Sequence, residues 1–518
     1  MSAVDSPRQP SATGSGGPGD AGAGSARLDL RGAVRSPFAL AILVCTALAV
    51  LSAALLPTVP SYDPWSWIVW GREVFDPHLS FIVNGGPSWK PLPVAFTAIF
   101  GLFGSAAPTL WVILARIGGL LGLWGTWRLT RRLAGGGALG AFVGLVAAFG
   151  IVLTGRLDQA WYYYFLHGTS EAILVGLTVW AVDRLLDGHH VQAYLLACAG
   201  GLIRPEWWPF IGVYAIWLWF REPSFRGPGM RLLLLAGLVA QPFGWFVPPW
   251  ITTGQPFLAA THAADYNGHL GSDVLHSIVA RGIRDQQLPA LILAGVATAF
   301  ALARPRRHRA VLAIAGGIVV WWVVVVGETL DGYPGLERFF LPAAALVCVL
   351  GGVGIAALAR LAQALVRRAR APAVGGAVTA LTALVLTAAC FPFARAQLRI
   401  VRVDQRDATQ GVWLLDELSH AVAAVGGHDG VLPCRSSFAA INHSGQTALA
   451  FKLHVTLARI GTSMRAPGVD FVGPHAAQIG GPAKVDPRLT QRQTLAVVGP
   501  WQVLRLTTPG LPTGCDGR

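Results

Sequence analysis

Long apolar segments separated by short arginine-rich connections make up most of this chain. A helix needs about 20 mainly apolar residues to cross roughly 30 Å of hydrocarbon, at about 1.5 Å per residue. By this measure the sequence predicts about eleven membrane spans, near residues 38-57, 109-128, 136-154, 170-187, 191-203, 205-220, 231-251, 287-303, 310-327, 338-359 and 374-393. The stretch 92-104 is apolar but short, and we expect it to lie on the membrane surface or to re-enter the membrane.

The charges in the connecting loops predict the orientation. With the N-terminus inside, the arginine-rich connections all fall on the cytoplasmic side, as the positive-inside pattern requires. They contain Arg128, Arg131, Arg132, Arg184, Arg221, Arg226, Arg231, Arg304, Arg306, Arg307, Arg309, Arg360, Arg367, Arg368 and Arg370. An odd number of crossings then places residues 394-518 outside.

The same pattern divides the chain into three parts. Residues 1-37 are rich in Gly, Ser, Ala and Pro, which predicts a disordered cytoplasmic tail. Residues 38-393 form the predicted transmembrane domain. In 394-518 we expect a small extracytoplasmic α/β domain, with an amphipathic helix near 412-425, a strand near Val431, and a hairpin that turns at Gly499-Pro500.

Composition supports this class and excludes others. With 53% hydrophobic and 13% charged residues, the chain cannot be a water-soluble globule. The formal net charge of +14 sits largely in the loops, so it reports orientation and predicts no nucleic-acid partner. We therefore expect a multi-pass α-helical protein of the cell membrane, surrounded by membrane lipids.

The polar residues accumulate at the outer ends of the predicted spans. Asp63 follows the first span, in Ser61-Tyr62-Asp63-Pro64-Trp65-Ser66-Trp67. A carboxylate there suits a general base acting on a lipid-borne substrate, and Pro64 favours an extended backbone at Asp63. Trp65, Trp67 and Trp70 either stack on a sugar or anchor the loop at the headgroup level.

Cations on the same face are candidates for holding a donor phosphate, because guanidinium and ammonium groups bind phosphate oxygens well. They are Lys90, Arg116, Arg204 and Arg338. For Arg116, as for the other arginines, two structural alternatives to phosphate binding remain open. The side chain could snorkel to the surface, or it could form a structural pair with a glutamate such as Glu171 or Glu206.

A second candidate cluster follows the third predicted span. Asp158, His167 and Glu171 flank a run of aromatic residues, and together with Trp65 and Glu206 they are candidates for binding substrate. The structural alternative for the aromatic run is an interface belt. For His167 it is a hydrogen-bonded loop histidine.

Several short motifs resemble the GT-C superfamily of integral-membrane glycosyltransferases, with the closest likeness to the protein mannosyltransferase and aminoarabinose transferase branch. They are Trp89-Lys90-Pro91-Leu92, Leu102-Phe103-Gly104, Arg116 with its glycine-rich span, the segment 128-135, Leu202-Ile203-Arg204-Pro205-Glu206 and Arg338-Phe339-Phe340-Leu341-Pro342. The likeness runs through residues 38 to 393 in order and spacing.

This resemblance implies a polyprenyl-phosphate sugar donor, extracytoplasmic chemistry, and an aspartate in the first outer loop that acts as base or as a metal-assisted activator. Asp63 is the matching position. The family's commoner pattern has two adjacent acidic residues, whereas here Asp63 precedes Pro64 and Trp65. The resemblance therefore leaves open whether a divalent cation, Mg or Mn, takes part. It also leaves open mannose or arabinose as the sugar, and a glycan, a lipid or a protein as the acceptor.

The six cysteines divide between the two folded parts. Cys45, Cys198, Cys348 and Cys390 fall in predicted spans, and Cys434 and Cys515 fall in the outer C-terminal part. A disulfide between these last two is our prediction, since an oxidising compartment would maintain it. The alternative is two free thiols.

Two other functions remain open from the sequence. One is a lipid or polysaccharide transporter or flippase, although such proteins usually need ionisable groups near the membrane midplane. The other is a noncatalytic assembly protein with a GT-C-like scaffold, in which Asp63 would be buried in a salt bridge with no open cavity beside it.

Overall fold

The structure is a computed structural model, and it describes residues 37–76, 79, 81, 86–156, 159–265, 273–368, 372–434, 437–463, 466–474 and 491–507. The predicted tail, up to residue 36, lies outside the described residues. Across the described ranges the chain is mostly helical, with one small sheet near its C-terminus.

A helix coincides with each of the eleven predicted spans. In chain order the α-helices are α1 (Pro37–Leu55), α2 (Tyr62–Arg72), α3 (Pro91–Gly101), α4 (Ala107–Leu133), α5 (Gly137–Val152), α6 (Trp161–His167), α7 (Ser170–Leu186), α8 (His190–Gly201), α9 (Trp208–Arg221), α10 (Pro228–Thr253), α11 (Leu258–Asp265), α12 (Val274–Asp285), α13 (Leu288–Leu302), α14 (Arg309–Leu330), α15 (Leu341–Arg368), α16 (Gly375–Ala389), α17 (Phe391–Ala424), α18 (Gly427–Val431) and α19 (Gln446–Lys452). The strands are β1 (Ala439–Ile441), β2 (Ile460–Gly461), β3 (Gly468–Val472), β4 (Gln491–Val498) and β5 (Trp501–Thr507).

Five helical segments in the described part of the chain are long and apolar enough to cross a membrane. They are Phe38–Leu55, Gly104–Leu133, Pro228–Thr253, Arg309–Leu330 and Glu337–Arg368. Three helix pairs bent at short breaks, α6 with α7, α12 with α13 and α16 with α17, raise this number to eight if each pair is one span. The chain is therefore a multi-pass membrane protein. The count of eleven stays a prediction, because helices such as α8, with 12 residues, are short for a full crossing.

Helices α4 and α7 run side by side in the same direction and define the two ends of the helical domain. Near the start of α4, Trp111 donates a hydrogen bond to the Gly168 carbonyl, 2.7 Å away and just before α7. Near the end of α4, Arg128 pairs with Asp183 of α7 at 2.9 Å. The 27 residues of α4 span about 40 Å, which is about the thickness of a bilayer with its headgroups.

Glycines allow these two helices to approach closely. A Cβ added at Gly176 would lie 2.4 Å from the carbonyl oxygen of Gly118, so no side chain fits at that position without moving a backbone. Close backbone contact through small residues is a common way to pack helices where lipid removes the hydrophobic driving force. The pair α4 and α7 therefore forms a rigid centre for the domain.

The C-terminal part combines helices with a five-stranded sheet in the order β2-β1-β3-β5-β4. Strand β1 pairs in parallel with β2 and β3, while β5 pairs in antiparallel with β3 and β4. The hairpin predicted at Gly499-Pro500 is confirmed, and Gly499 has the positive φ of 51° that its turn requires.

Two details of this part differ from the prediction. Residues near Val431 form α18 and not a strand, and the first strand begins at Ala439. The predicted amphipathic helix is the second half of α17, which has 34 residues and starts at Phe391, directly after α16. Pro392 does not break it, because a proline is tolerated in the first turn of a helix.

One hydrophobic core joins the C-terminal part to the helical domain. Trp67 and Trp70 of α2 belong to the same buried cluster as Leu449 of α19, Phe471 of β3 and Trp501 of β5. The C-terminal domain therefore packs directly on the helix that contains Asp63.

Candidate active site

Asp63 lies in the first turn of α2, which begins at Tyr62 after the extended residue Ser61. The prediction that Pro64 keeps Asp63 extended is wrong. A first-turn proline leaves no hydrogen bond unmade, because the first amide groups of a helix have no partner within it. The helix starts one residue before Asp63 and fixes the direction of the carboxylate.

The Asp63 carboxylate is held by one cation and one amide. Its Oδ2 lies 3.4 Å from Nη1 of Arg338, and its Oδ1 accepts a hydrogen bond from the Ser88 amide at 3.3 Å. Both side chains of the ion pair keep some exposure, 16% for Asp63 and 22% for Arg338. Both contacts are longer than the usual N–H···O distance of roughly 2.9 Å, so the carboxylate is positioned without being saturated.

The tryptophans of α2 lie inside the protein. Trp65, Trp67 and Trp70 are all 6% exposed or less, so they neither anchor a loop among headgroups nor offer a free face to a sugar. Trp67 donates to the Ser88 carbonyl at 2.7 Å, and Trp65 packs against Phe451 at 5.1 Å between ring centroids. Their burial fixes α2 in place around Asp63.

Next to Asp63 is a buried ionic cluster built from distant segments. Glu171, at the start of α7, accepts from Lys90 at 3.3 Å and from Arg204 at 2.9 Å through the same oxygen, Oε1. Arg204 also pairs with Glu206 at 3.2 Å, and Lys90 donates to Ser170 at 2.7 Å. The side chains of Lys90, Glu171, Arg204 and Glu206 are 0–3% exposed.

Phe339 connects this cluster to the Asp63–Arg338 pair. Its ring lies 4.2 Å from the guanidinium carbon of Arg204 and 5.8 Å from that of Arg338. Three cations, Lys90, Arg204 and Arg338, thus converge near one carboxylate that retains partial access to solvent. The predicted motifs around Lys90, Arg204 and Arg338 are brought together, although they are far apart in the chain.

The cluster has unused hydrogen-bonding capacity. Nε of Arg204, Nε of Arg338 and Oε2 of Glu206 are buried without a hydrogen-bond partner in the described structure. Glu328, near the end of α14, adds a fourth such atom, Oε2. Buried polar atoms without partners are costly, and in native sites they often face a ligand or water.

Burial also changes the acidity of Lys90, which precedes α3 and lies outside the long apolar helices. Loss of hydration lowers the pKa of Lys90 to about 8, Glu171 opposes this change, and the neighbouring charges of Arg204 and Arg338 add to it. A phosphate placed beside Lys90 would favour the protonated form.

Arg116 lies in the N-terminal half of α4, but its partners differ from those of Lys90, Arg204 and Arg338. Its guanidinium is fully buried and donates to the carbonyls of Ser52, near the end of α1, and Pro57, after α1. It also donates to the carbonyls of Phe165 and Leu166 in α6. These bonds favour a structural role, because they bind the end of α1 to α6. The phosphate role for Arg116 stays an untested prediction.

The other predicted residues are distributed as follows. His167 is buried, its Nδ1 lies 3.0 Å from the Val59 carbonyl, and its ring packs on Tyr163. Asp158 and Cys515 lie outside the described residues, so the disulfide between Cys434 and Cys515 stays a prediction. The cysteines of the predicted spans, Cys45, Cys198, Cys348 and Cys390, are free.

The C-terminal domain contributes residues that sequence reasoning missed. Tyr62, directly before Asp63, donates to Oε1 of Gln446 at 3.0 Å, and its carbonyl accepts from Thr447 at 3.0 Å. The Tyr62 ring stacks on His443 with 4.1 Å between centroids. No signal in the sequence points to these contacts, which join residues almost 400 positions apart.

Metal binding receives no support from the described part of the chain. Among the described residues there is no group of three or more His, Cys, Asp or Glu that could hold a metal ion. The charged neighbour of Asp63 is a guanidinium group. Participation of Mg or Mn stays a prediction.

The described residues combine a helical membrane domain with a small C-terminal α/β domain. Among solved structures, the chain is similar to ArnT from Cupriavidus metallidurans bound to undecaprenyl phosphate, with a TM-score of 0.52 and 12% identity, covering 91% of this chain and 98% of that chain. It is also similar to ArnT from the same organism in the apo state, with a TM-score of 0.47, 15% identity, and coverage of 90% and 98%. The likeness to the lipid-bound ArnT structure, whose TM-score is 0.52, confirms the expected fold.

The remaining comparisons give no further relatives. No protein-family profile matches the chain, and no curated protein matches it significantly in sequence.

Proposed function

We propose that this protein is a membrane glycosyltransferase that moves a sugar from a polyprenyl-phosphate donor to an acceptor hydroxyl, with Asp63 as the catalytic base. The observation that carries the proposal is the position of the Asp63 carboxylate, 3.4 Å from Arg338 and beside buried Lys90 and Arg204. The solved structure that shares this fold holds undecaprenyl phosphate, an anionic lipid of the same chemistry.

In this reaction the acceptor oxygen attacks the anomeric carbon while Asp63 accepts the hydroxyl proton. The bond between the anomeric carbon and the phosphate oxygen breaks, and polyprenyl phosphate leaves with its electron pair. Lys90, Arg204 and Arg338 stabilise the charge that develops on that phosphate. The unused donor groups on Arg204 and Arg338 support this assignment, because a phosphate oxygen would satisfy them.

The site and the arginine-rich loops lie at opposite ends of α4, which supports chemistry on the extracytoplasmic side. Near its start α4 packs beside α2, with Trp67 and Trp111 5.5 Å apart, and near its end it contains Arg128, Arg131 and Arg132. With the arginines inside, Asp63 and the C-terminal domain are outside. A glycan, a lipid or a protein of the cell envelope would then be the acceptor, with mannose or arabinose as the sugar.

The test is transfer of radiolabelled sugar by the purified protein in vesicles, from a panel of polyprenyl-phosphate pentoses and hexoses, with cell-envelope material as the acceptor. Asp63→Asn should lower transfer by about 10²–10⁴-fold, the range typical of a general base. Asp331→Asn is the matched control, since Asp331 is exposed in the loop after α14.

Three outcomes would overturn the proposal. Unchanged transfer in a folded Asp63→Asn variant would remove Asp63 from the mechanism. Movement of an intact polyprenyl-phosphate sugar across sealed vesicles, with no covalent product from any donor, would make the protein a flippase. Absence of both activities across the panel would favour a noncatalytic scaffold.

A further inference from the structure

A row of arginines lies on one face of α17, at the end of the molecule that contains Asp63. Arg395, Arg399, Arg402 and Arg406 recur at helical spacing and are all exposed. The opposite face of the same helix is attached to the protein, since Gln397 donates to the Gly155 carbonyl at 2.8 Å and Ala408 is buried. We call Arg395, Arg399, Arg402 and Arg406 the arginine face.

Within the described ranges, the arginine face has no acidic partner. None of its four residues forms an ion pair with a described residue. No Asp or Glu lies three or four positions from any of them, so they repel one another along the helix. By contrast, Lys90, Arg204 and Arg338, the cations next to Asp63, have acidic partners within the protein.

A groove accompanies these charges. It has a volume of about 410 Å³ and is lined by Phe391, Arg395, Leu398, Arg399 and Arg402. Its lining thus combines three arginines with two apolar residues, and the Phe391 side chain is 61% exposed. A ligand that has both an anionic group and a hydrocarbon part matches this lining.

The position of the groove relates it to the membrane surface. Helix α16, directly before α17, exposes Leu381, Leu384 and Val385 by 55–63%, as expected for a surface that faces lipid. Helix α17 continues at a bend of 49°. With this bend, Arg395, Arg399 and Arg402 lie about 6, 10 and 13 Å beyond the end of α16, measured along its axis.

The height of Arg395 lies within the headgroup layer of a bilayer, which extends roughly 5–8 Å beyond the hydrocarbon. The guanidinium groups of Arg399 and Arg402 can reach back to this layer, because arginine side chains extend several ångströms along their helix. Arginines so close to a membrane are unusual on the side opposite the arginine-rich loops. The exception has a physical explanation if an anion of the membrane occupies the face.

We propose that the arginine face and its groove bind the phosphate groups of anionic glycerophospholipids in the leaflet next to the C-terminal domain. The guanidinium groups bind the phosphates, and Phe391 and Leu398 contact the glycerol and upper acyl chains. Since α17 also packs against α6 and the hairpin of β4 and β5, bound lipid would hold the C-terminal domain down on the membrane. This proposal does not depend on the glycosyltransferase activity.

The experiment reconstitutes the full chain in phosphatidylcholine vesicles with phosphatidylglycerol that carries a photoactivatable headgroup, and maps the labelled peptides by mass spectrometry. Photoactivatable phosphatidylcholine with the same acyl chains is the lipid control. We expect saturable labelling of 391–402 by phosphatidylglycerol above that by phosphatidylcholine. An arginine near an anionic surface contributes roughly a factor of five in affinity, so the triple variant Arg395→Gln, Arg399→Gln and Arg402→Gln should lose about a hundredfold.

Two controls separate this effect from loss of structure. Labelling of the loop at Arg304, Arg306 and Arg307, at the other end of the molecule, should be unchanged in the triple variant. The corresponding lysine triple keeps the charge and should retain most of the labelling.

Equal labelling of 391–402 by the two lipids, or unchanged labelling in the triple glutamine variant, would overturn the proposal. Polyprenyl monophosphate is added as a competitor in a further arm. If it displaces phosphatidylglycerol from this segment at a small mole fraction, the occupant is the carrier lipid, and the assignment to glycerophospholipids is wrong.

Discussion

Helix α7 has an ionic cluster at each end, and the two clusters are built differently. At its C-terminal end, Asp183, Arg184 and Asp187 pair with one another and with Arg128 and Arg132 of α4. All these residues come from two adjacent helices. Arg128 and Arg132 keep 33% and 37% exposure, so water screens part of their charge.

At the N-terminal end, Glu171 meets cations from two other segments, Lys90 before α3 and Arg204 after α8, and nothing in this group is more than 3% exposed. Arg338, before α15, adds a third segment beside Asp63 of α2. Burying so many charges costs free energy that their pairing need not recover. The cluster at the C-terminal end of α7 therefore needs only to hold two helices together. The cluster at the N-terminal end brings distant segments together, as a binding site requires.

The largest effect should separate the two clusters by activity. Lys90→Gln should lower kcat/KM for the lipid donor by about 10²–10³-fold, because it removes a cation that we propose stabilises the leaving phosphate. Arg128→Gln, at the other end, should leave kcat/KM per folded molecule unchanged. Transfer assays on both purified variants check this, and equal losses would mean that the clusters do not differ in function.

Stability should respond at both ends of α7, but unequally. Glu171→Gln leaves Lys90 and Arg204 buried without their shared counter-charge, and it should lower the free energy of unfolding by roughly 3–5 kcal/mol. Asp183→Asn should cost less, because two of its three partners, Arg128 and Arg132, are partly exposed, whereas Arg184 keeps Asp187 as a second counter-charge. Thermal unfolding in the same detergent measures both. A larger loss for Asp183→Asn would contradict the contrast in burial.

The pH dependence should also distinguish the site. Since burial places the pKa of Lys90 at about 8, its charge is present below this pH and is lost as the pH rises through it. The kcat/KM for the donor, which reports the free protein, should therefore decline above pH about 8, up to tenfold per pH unit. Lys90→Arg should move this decline to higher pH, since arginine stays charged. An identical pH profile in the variant would show that another group causes the decline.

The smallest effect concerns the contact from the C-terminal domain, which reaches the Asp63 end of the bundle. Gln446→Leu removes the hydrogen bond to Tyr62 and should lower kcat by about 2–10-fold, with little change in the donor KM, because one hydrogen bond contributes roughly 0.5–1.5 kcal/mol. Gln502→Leu, exposed on β5, is the control. A change in donor KM without a change in kcat would argue against positioning of Asp63.

Much of the fold could be predicted from the sequence, because hydrophobicity along a helix is a local signal. The eleven apolar segments and the hairpin at Gly499-Pro500 are confirmed as elements. The error at Asp63 has a local cause: a proline excludes the helix interior but is compatible both with an extended residue before it and with a first turn.

The candidate site was predictable as a set of residues but not as a geometry. Lys90, Arg204 and Glu171 stood out because charges are rare near apolar segments, yet their pairing joins positions 33 to 81 residues apart. Arg116 carried the same signal and turned out to bind backbone carbonyls, which leave no trace in sequence. Nothing local indicates that α19 would meet α2.

Because α19 packs on α2, the C-terminal domain contacts the residue next to Asp63. Tyr62 lies between the Gln446 and His443 side chains, so any molecule that shifts α19 also shifts the residue next to the base. With the C-terminal domain on the extracytoplasmic side, as proposed, an antibody fragment or peptide that binds beneath this helix would inhibit the proposed transfer without competing for the lipid donor and without crossing the bilayer.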